Sequence, residues 1–583
     1  MQFRNLFRSF LARFLPSCPS GIQRQFGTIT GSARQRRGPG FKDEDLFKYT
    51  SGRWIYNEQL RLTERYLEFD VPALQETVAA ASGRATSDIT SFSKMSEGGF
   101  NRLFQVTFND GREVIARIPY PSTRPEHYCV ASEVATLDYL RGHGIPTPEV
   151  YAWCSTRANP VGVEYIIMEK LGGTPLGDVW YTMTPKEQHK IMKQIVEWEA
   201  RLMSLKFPAS GSIYYRRDVL AGEGISFPND GDGEFCIGPI AHYSWWHEER
   251  AGLNLDRGPW TSSNQVFRAV GERELKWAKT YAKPRLPYER LYREIHNFSN
   301  VSPESHIENL SMYLTLAQCL GFKPGSSLDR PVLRHPDLQP NNLLVSETKQ
   351  VLGIVDWQHC TTLPLGLAAG IPSHFQNYGD PDSEKLLEPE IDLPADYASL
   401  GVAEQTAVRE TMRKRLVHFL YAALTKSMNQ KHYNAIFNQC AILHQRLFMS
   451  AGTPWEGDSA SLPAEMIRAI QSWPILITEE EDSLGHGDEQ MMCSVAPISY
   501  PDAMVHDTLH VDAQQREADA AMEQMRGVLG VDILGWVPND DEYQAAKEMA
   551  REIKARMIEA ADTPADVAGI QDHFPFDDFD ESS

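Results

Sequence analysis

The stretch that most constrains this chain is His335-Pro336-Asp337-Leu338-Gln339-Pro340-Asn341-Asn342, together with the apolar segments that follow it. Leu343, Leu344 and Val345 predict a short strand, Ser346 to Gln350 a turn, and Val351 to Val355 a second apolar strand. Paired antiparallel, these strands put Asn342, which enters the hairpin, beside Asp356, which leaves it. An amide oxygen and a carboxylate converging at one end of a hairpin suit a hard divalent ion such as Mg²⁺ that also contacts substrate phosphates. Asp337, in the loop ahead of the first strand, is placed to accept a hydroxyl proton or to orient that hydroxyl for attack on a phosphate. The alternative is a polar loop before a hairpin, with Asp and Asn serving turn geometry.

The spacing His-x-Asp-x4-Asn, followed by Asp at the end of the next strand, resembles the catalytic and metal loops of the kinase-like superfamily. The wording His-Pro-Asp-Leu-Gln-Pro-Asn-Asn resembles the aminoglycoside and choline phosphotransferase branch. No Ala-Pro-Glu-like segment follows Asp356-Trp357, and Trp357-Gln358 stands where protein kinases carry Phe-Gly. The resemblance implies an α+β, bilobal protein-kinase-like fold with a small β-rich N-lobe and a larger, mainly helical C-lobe.

Residues 90–120 predict three strands. Lys94 to Asn101 hold a turn with Ser96, Gly98 and Gly99, and Asn109-Asp110-Gly111 is a hairpin signal. Paired glycines let backbone N–H groups approach phosphate oxygens, and the turn resembles the nucleotide-covering loop of kinase-like folds. By the same resemblance, Arg117 in Val114-Ile115-Ala116-Arg117 occupies the place of the phosphate-contacting strand lysine. Its fork differs from lysine in reach and shape. Glu126 to Leu140 predict a helix ended by Gly142, on which Glu133 is placed like the glutamate that pairs with the strand's basic residue. Glu169, leaving the strand Glu164–Met168, falls at the hinge whose backbone binds adenine in the resembling families. The resemblance therefore implies ATP and Mg²⁺ as cofactors.

Composition bounds the rest. The 583 residues suffice for two lobes plus extensions. The cysteines are scattered without a C-x-x-C pair, so neither a zinc site nor a disulfide framework is indicated. No run is long and apolar enough to span a membrane. Residues 1–42 carry Arg4, Arg8, Arg13, Arg24, Arg34, Arg36, Arg37 and Lys42 and no acid. With Phe3, Leu6, Phe7, Phe10, Leu11 and Phe14 at helical spacing, they read as a mitochondrial transit peptide, to the matrix. The other reading is a basic surface or lipid-binding helix. The chain as a whole has a formal net charge of −21, which disfavours nonspecific nucleic-acid binding.

The expected organisation is then 1–42 transit peptide, 43–88 N-terminal segment, 89–171 N-lobe, 172–477 C-lobe with an insertion at about 206–300, and 478–583 an acidic and helical extension with a disordered tail. Thr184-Pro185-Lys186-Glu187 opens a C-lobe helix as a capping box. The insertion's aromatics, among them Trp245-Trp246 and Trp260, suit either packed core or a cage for a cationic acceptor. Phe47-Lys48-Tyr49-Thr50-Ser51-Gly52-Arg53-Trp54, the presequence and the His-Pro-Asp loop together resemble the altered inheritance of mitochondria protein 9 family, from about residue 43 to beyond 540. Two functions are compatible with these features. One is an ATP-dependent phosphotransferase acting on a small-molecule hydroxyl. The other is a catalytically weak nucleotide-binding scaffold for mitochondrial maintenance.

Overall fold

The computed structural model describes residues 44–228, 233–478 and 494–581. The segment 1–42, expected to be a transit peptide, lies outside the described residues, as does most of the acidic stretch 478–489.

Strand β1 (Arg53–Trp54) and helix α1 (Val71–Ala81) precede the small lobe's sheet. The sheet comprises β2 (Ile89–Glu97), β3 (Asn101–Phe108), β4 (Glu113–Pro119) and, beyond helix α2 (Tyr128–Gly142), β5 (Val150–Cys154) and β6 (Tyr165–Glu169). It is antiparallel throughout, in the order β2-β3-β4-β6-β5. The Asn109-Asp110-Gly111 turn closes β3 onto β4, with Gly111 at φ 83° where a left-handed residue is required. Alternate residues Phe104, Val106 and Phe108 face Leu74 and Val78 of α1 in one apolar cluster. Helix α2 has no solvent stripe: Cys129 to Leu137 are all buried. Such a helix must be covered on several sides.

The large lobe opens with β7 (Thr174–Pro175) and helix α3 (Pro185–Ser204). Thr184 and Glu187 form the expected reciprocal cap. The insertion begins with β8 (Ser212–Tyr215), β9 (Ile225–Ser226) and β10 (Phe235–Gly238), which make a three-stranded sheet with β10 in the middle. Tyr214, Cys236 and Ala241 of the insertion pack on Ala131 of α2, so α2 is sandwiched between the small-lobe sheet and the insertion. Trp245 and Trp260 are buried core residues, which favours the packing reading for these two aromatics. Helices α4 (Ser263–Tyr281) and α5 (Glu304–Ala317) follow, then β11 (Pro331–Leu333), β12 (Leu343–Val345), β13 (Val351–Ile354) and β14 (Thr362–Pro364). Helices α6 (Val402–Met428), α7 (Gln439–Gly452) and α8 (Ser461–Gln471) complete the lobe.

The C-terminal extension is α9 (Asp502–Leu529), β15 (Trp536–Val537), α10 (Asp540–Glu559) and α11 (Pro564–His573). β15 pairs antiparallel with β1. A Cβ on Gly52 would lie 2.2 Å from the Trp536 indole, so the two segments meet closely only because residue 52 is glycine. Residues 574–581, expected to be a disordered tail, are instead ordered. Phe574 and Phe576 are buried with Tyr56, Leu291 and Met522, Asp578 accepts the Asn57 N–H, and Glu581 pairs with Arg61. The acids that suggested solvation have partners elsewhere in the chain: Arg61 for Glu581, the Asn57 N–H for Asp578 and Lys554 for Asp577. Against the expectation that no disulfide is indicated, Cys319 is disulfide-bonded. No helix among the described residues is long and apolar enough to cross a membrane.

Candidate active site

The hairpin forms in the register its sequence dictates: Leu343 faces Ile354 and Leu344 faces Gly353, with β7 added on the far side of β12. Helix α3 holds its turn. Gln194 accepts the Val351 N–H at 2.9 Å and donates to the Lys349 carbonyl at 3.0 Å. The Val355 N–H donates to the Asn342 carbonyl at 2.9 Å, which fixes Asn342 and Asp356 at the same end.

Ahead of the hairpin, Arg334 is clamped by Glu199 at 2.6 Å and by the Ala368 carbonyl at 2.8 Å. His335 is buried and bridges two loops. One ring nitrogen lies 2.9 Å from the Val355 carbonyl and the other accepts the Asp337 N–H at 3.1 Å. Burial pushes the His335 pKa down, so the neutral ring suits this donor–acceptor pair. The Trp357 indole stands edge-on to it at 4.6 Å. A Cβ on Gly177 would lie 1.7 Å from Asn341 Oδ1, so the loop seats against a glycine.

Asp337 is exposed. Its Oδ2 accepts from the Gln339 amide and from Asn342 Nδ2 at 3.3 Å. Asn342 Nδ2 also donates to the Asp337 carbonyl at 2.8 Å, which uses the amide nitrogen and leaves Oδ1 as the available ligand atom. Asp356 sits at φ 66°, an uncommon conformation outside glycine, and its side chain is half exposed. Among the described residues no three His, Cys, Asp or Glu side chains form a metal cluster. The donor set is one amide oxygen and one carboxylate, hard oxygens of the kind that hold Mg²⁺ when phosphates supply the remaining ligands.

Arg117 and Glu133 are both buried and form an ion pair through Arg117 Nη1. Arg117 Nη2 reaches Asp356 Oδ1 at 3.3 Å and the Gln358 amide oxygen. The side chains thus form two bonded groups, Asp337 with Asn342 and Asp356 with Arg117 and Glu133, held next to each other by the Val355 N–H bond to the Asn342 carbonyl. Gly98 and Gly99 lie in the turn between β2 and β3, where an added Cβ would meet nothing within 4 Å. Neither has a positive φ, and the Gly98 N–H is spent on the Asn101 carbonyl at 3.1 Å. Ser96 is the penultimate residue of β2. Glu169 is not brought to either group. Its carboxylate accepts from the Glu149 N–H at 3.1 Å and lies 3.5 Å from Arg141, while its own N–H donates to the Glu149 carbonyl.

Sequence reasoning passed over the side chains that link the Gly98–Gly99 turn to this loop. Asn101 donates to the Gln358 amide oxygen at 2.5 Å. The Phe100 ring meets those of His359 and Tyr243 at 5.0 and 5.8 Å. Burial pushes the His359 pKa down to about 4.

Comparison with known proteins agrees with this architecture. A model of the phosphotransferase enzyme family (APH) matches residues 91–366. The chain is 31% identical over 527 residues to a subtelomeric hrmA-associated cluster protein of Aspergillus fumigatus, covering 84% of this chain and 97% of that one. It is 25% identical over 495 residues to altered inheritance of mitochondria protein 9, mitochondrial, of Yarrowia lipolytica, covering 78% and 81%. A solved putative aminoglycoside phosphotransferase from Ralstonia eutropha is 16% identical, with a TM-score of 0.29 over 70% of this chain and 97% of that one. The chain belongs to the family that these cluster proteins and altered inheritance of mitochondria protein 9 share, with a phosphotransferase-family domain of bilobal α+β fold.

Proposed function

We propose that this protein is an ATP-dependent phosphotransferase that moves the γ-phosphoryl group of ATP to the hydroxyl of a small molecule. The observation that carries the reading is the placement of the Asp337–Asn342 pair beside the Asp356–Arg117–Glu133 group, joined by the Val355–Asn342 backbone bond, within residues 91–366 that match the phosphotransferase family model. In this reading Asn342 Oδ1 and Asp356 hold Mg²⁺, which when bound neutralises phosphate charge. Arg117, fixed by Glu133, contacts nucleotide phosphates, and the turn from Ser96 to Gly99 covers them. The backbone near Glu169 lies along the adenine. Asp337, its carboxylate steadied by Gln339 and Asn342, orients the acceptor hydroxyl. As the acceptor oxygen bonds to phosphorus, the bond to the ADP oxygen breaks and the hydroxyl proton passes to Asp337. His335 braces the loop.

The mitochondrial names of the relatives and the acid-free, arginine-rich residues 1–42 support action in the mitochondrion, in the matrix. A reporter fused to residues 1–42 tests this, and a cytosolic reporter contradicts it. The chemistry is tested by incubating the full protein with ATP, Mg²⁺ and a small-molecule extract and following phosphorylated products by mass spectrometry. A product made by wild type and not by Asp337→Asn supports the proposal; no product with either contradicts it. Arg117 in the lysine place favours a second reading, a catalytically weak nucleotide-binding scaffold. Under that reading Asp337→Asn fully complements a null strain and Arg117→Ala does not.

A further inference from the structure

An arginine in place of a lysine brings an additional polar group that must be satisfied. Lysine presents one ammonium nitrogen, whereas the guanidinium presents two terminal nitrogens in a rigid fork. Here Glu133 takes Nη1. Nη2 faces two acceptors, the Asp356 carboxylate at 3.3 Å and the Gln358 amide oxygen, which is the nearer. Gln358 is buried, and its orientation is dictated by its surroundings. The oxygen faces two donors, Arg117 Nη2 and Asn101 Nδ2. The nitrogen lies 3.2 Å from Cys129 Sγ on α2 and 3.1 Å from His359 Nε2. His359 Nδ1 faces the Ala241 carbonyl at 3.0 Å, so it carries the proton and leaves Nε2 as an acceptor. Reversing the amide would set its NH₂ against a guanidinium and another amide nitrogen. The backbone agrees: Asp356 and His359, on either side of Trp357-Gln358, both have positive φ. Asp356 is half exposed while Gln358 is buried.

We propose that Gln358 is a positioning residue that takes the nearer bond of Arg117 Nη2, so that the guanidinium keeps only a 3.3 Å contact with one oxygen of Asp356 and the carboxylate can still serve a divalent cation, and that it ties the nucleotide-covering turn to the metal loop through Asn101. The inference rests on the phosphotransferase reading and adds to it the device by which an arginine replaces the strand lysine. Were the amide oxygen removed, the acceptor remaining to Nη2 would be Asp356. The existing Arg117–Asp356 ion pair would then tighten and compete with the cation for the carboxylate, because a buried guanidinium does not tolerate an unpaired N–H.

The test uses the full-length protein with Gln358→Leu, Arg117→Lys and the double variant, in two measurements. The first is thermal unfolding without nucleotide or metal. The Tm loss caused by Gln358→Leu should be larger in the wild-type background than in the Arg117→Lys background, because the fixed fork of arginine points Nη2 at Gln358 while Nη1 is held by Glu133, whereas the rotatable lysine ammonium can turn its donors to Glu133 and Asp356. Equal losses overturn the proposal whatever the protein does with ATP. The second is ATP binding by calorimetry across a Mg²⁺ series. Gln358→Leu should raise the Mg²⁺ needed for half-maximal binding about 10–100-fold, as expected for a residue that orients a metal ligand. Added to Arg117→Lys it should raise it little further. An unchanged Mg²⁺ requirement in Gln358→Leu, with wild type binding normally, overturns the proposal. If wild type binds no Mg²⁺-nucleotide, the phosphotransferase reading fails and takes the cation part of the inference with it, while the Tm comparison still decides whether Gln358 holds Arg117.

Discussion

The two lobes are joined at the front and at the back by different chemistry. At the front, across the candidate site, the links from the small-lobe sheet are polar: Arg117 to Asp356 and Gln358, and Asn101 to Gln358. Phe100 adds ring contacts to Tyr243 and His359, and beside the site helix α2 shares the main apolar core with the large lobe, Val134, Leu137 and Leu140 being buried in one cluster with Ile191 and Ile195. At the back, residues 49–65 and the C-terminal extension form a strap with a core of its own, in which Ile55, Tyr56, Met522, Met525, Phe574 and Phe576 are buried together. The strap reaches the small lobe through Glu97, which accepts the Thr50 N–H at 2.7 Å and the Ser51 hydroxyl at 3.1 Å. It reaches the large lobe through Arg290, which donates to the Asp577 carbonyl at 2.6 Å, and through Tyr292 on Asp519. Apolar burial is non-directional and persistent, whereas hydrogen bonds exchange with ligand and water at small net difference. The strap therefore adds a persistent apolar link, and under the proposed function the polar links at the front are the ones that exchange with ligand. Glu97 is the last residue of β2, directly before Gly98, so the strap is anchored one residue from the covering turn.

Breaking the front at its exposed catalytic candidate should change chemistry with little change in stability. Asp337→Asn keeps the size and most of the bonds of the loop, so Tm and ATP affinity should stay close to wild type while turnover falls about 10²–10⁴-fold. A large Tm loss in that variant would mean that the front also holds the fold. Breaking the back should do the reverse. Phe576→Ala leaves a cavity in the strap core and should cost about 3–5 kcal/mol in denaturant unfolding, with ATP affinity unchanged in the protein that remains folded.

Acid should act on the front. Burial holds His359 at about 4, below an unfolded value near 6.5. A depressed histidine contributes stability that is complete above about pH 6.5 and is lost as pH falls toward about 4. The full difference is on the order of 3 kcal/mol. Tm measured from pH 7 to pH 4 should fall less steeply in His359→Gln than in wild type; parallel curves would remove His359 from the account. The smallest effect should come from the strap's edge. Thr50→Val removes one side-chain bond to Glu97 and keeps the backbone one, at a cost of about 0.5–1.5 kcal/mol.

What could be read in the sequence was local. The hairpin around Ser346–Gln350, the Asn109-Asp110-Gly111 turn and the Thr184–Glu187 cap each depend on residues within a few positions of one another. The α+β bilobal fold follows from their order together with the family resemblance. The strap was hidden because Arg53-Trp54 pairs with Trp536-Val537 across most of the chain, and a two-residue strand has no periodicity to detect. The acids of 574–581 look solvated until Arg61, Lys554 and Asn57 are placed beside them. Gln358 was noticed only as a substitute for Phe-Gly. The available signal was indirect: Arg117 has one more terminal nitrogen than a lysine, and some acceptor had to meet it. Glu169 was chosen for the backbone of the hinge strand, and the bonds its side chain makes to Glu149 and Arg141 could not be read from that position.

The most direct test of the account is calorimetric titration of the full protein with ATP, with Mg²⁺ and with the metal chelated, in wild type and in Asp356→Ala and Asn342→Ala. The account predicts that wild type binds ATP more tightly with Mg²⁺, that Asp356→Ala abolishes the difference, and that Asn342→Ala weakens it. ATP binding that is indifferent to Mg²⁺ and to both substitutions would contradict the assignment of this cleft as a metal–nucleotide site.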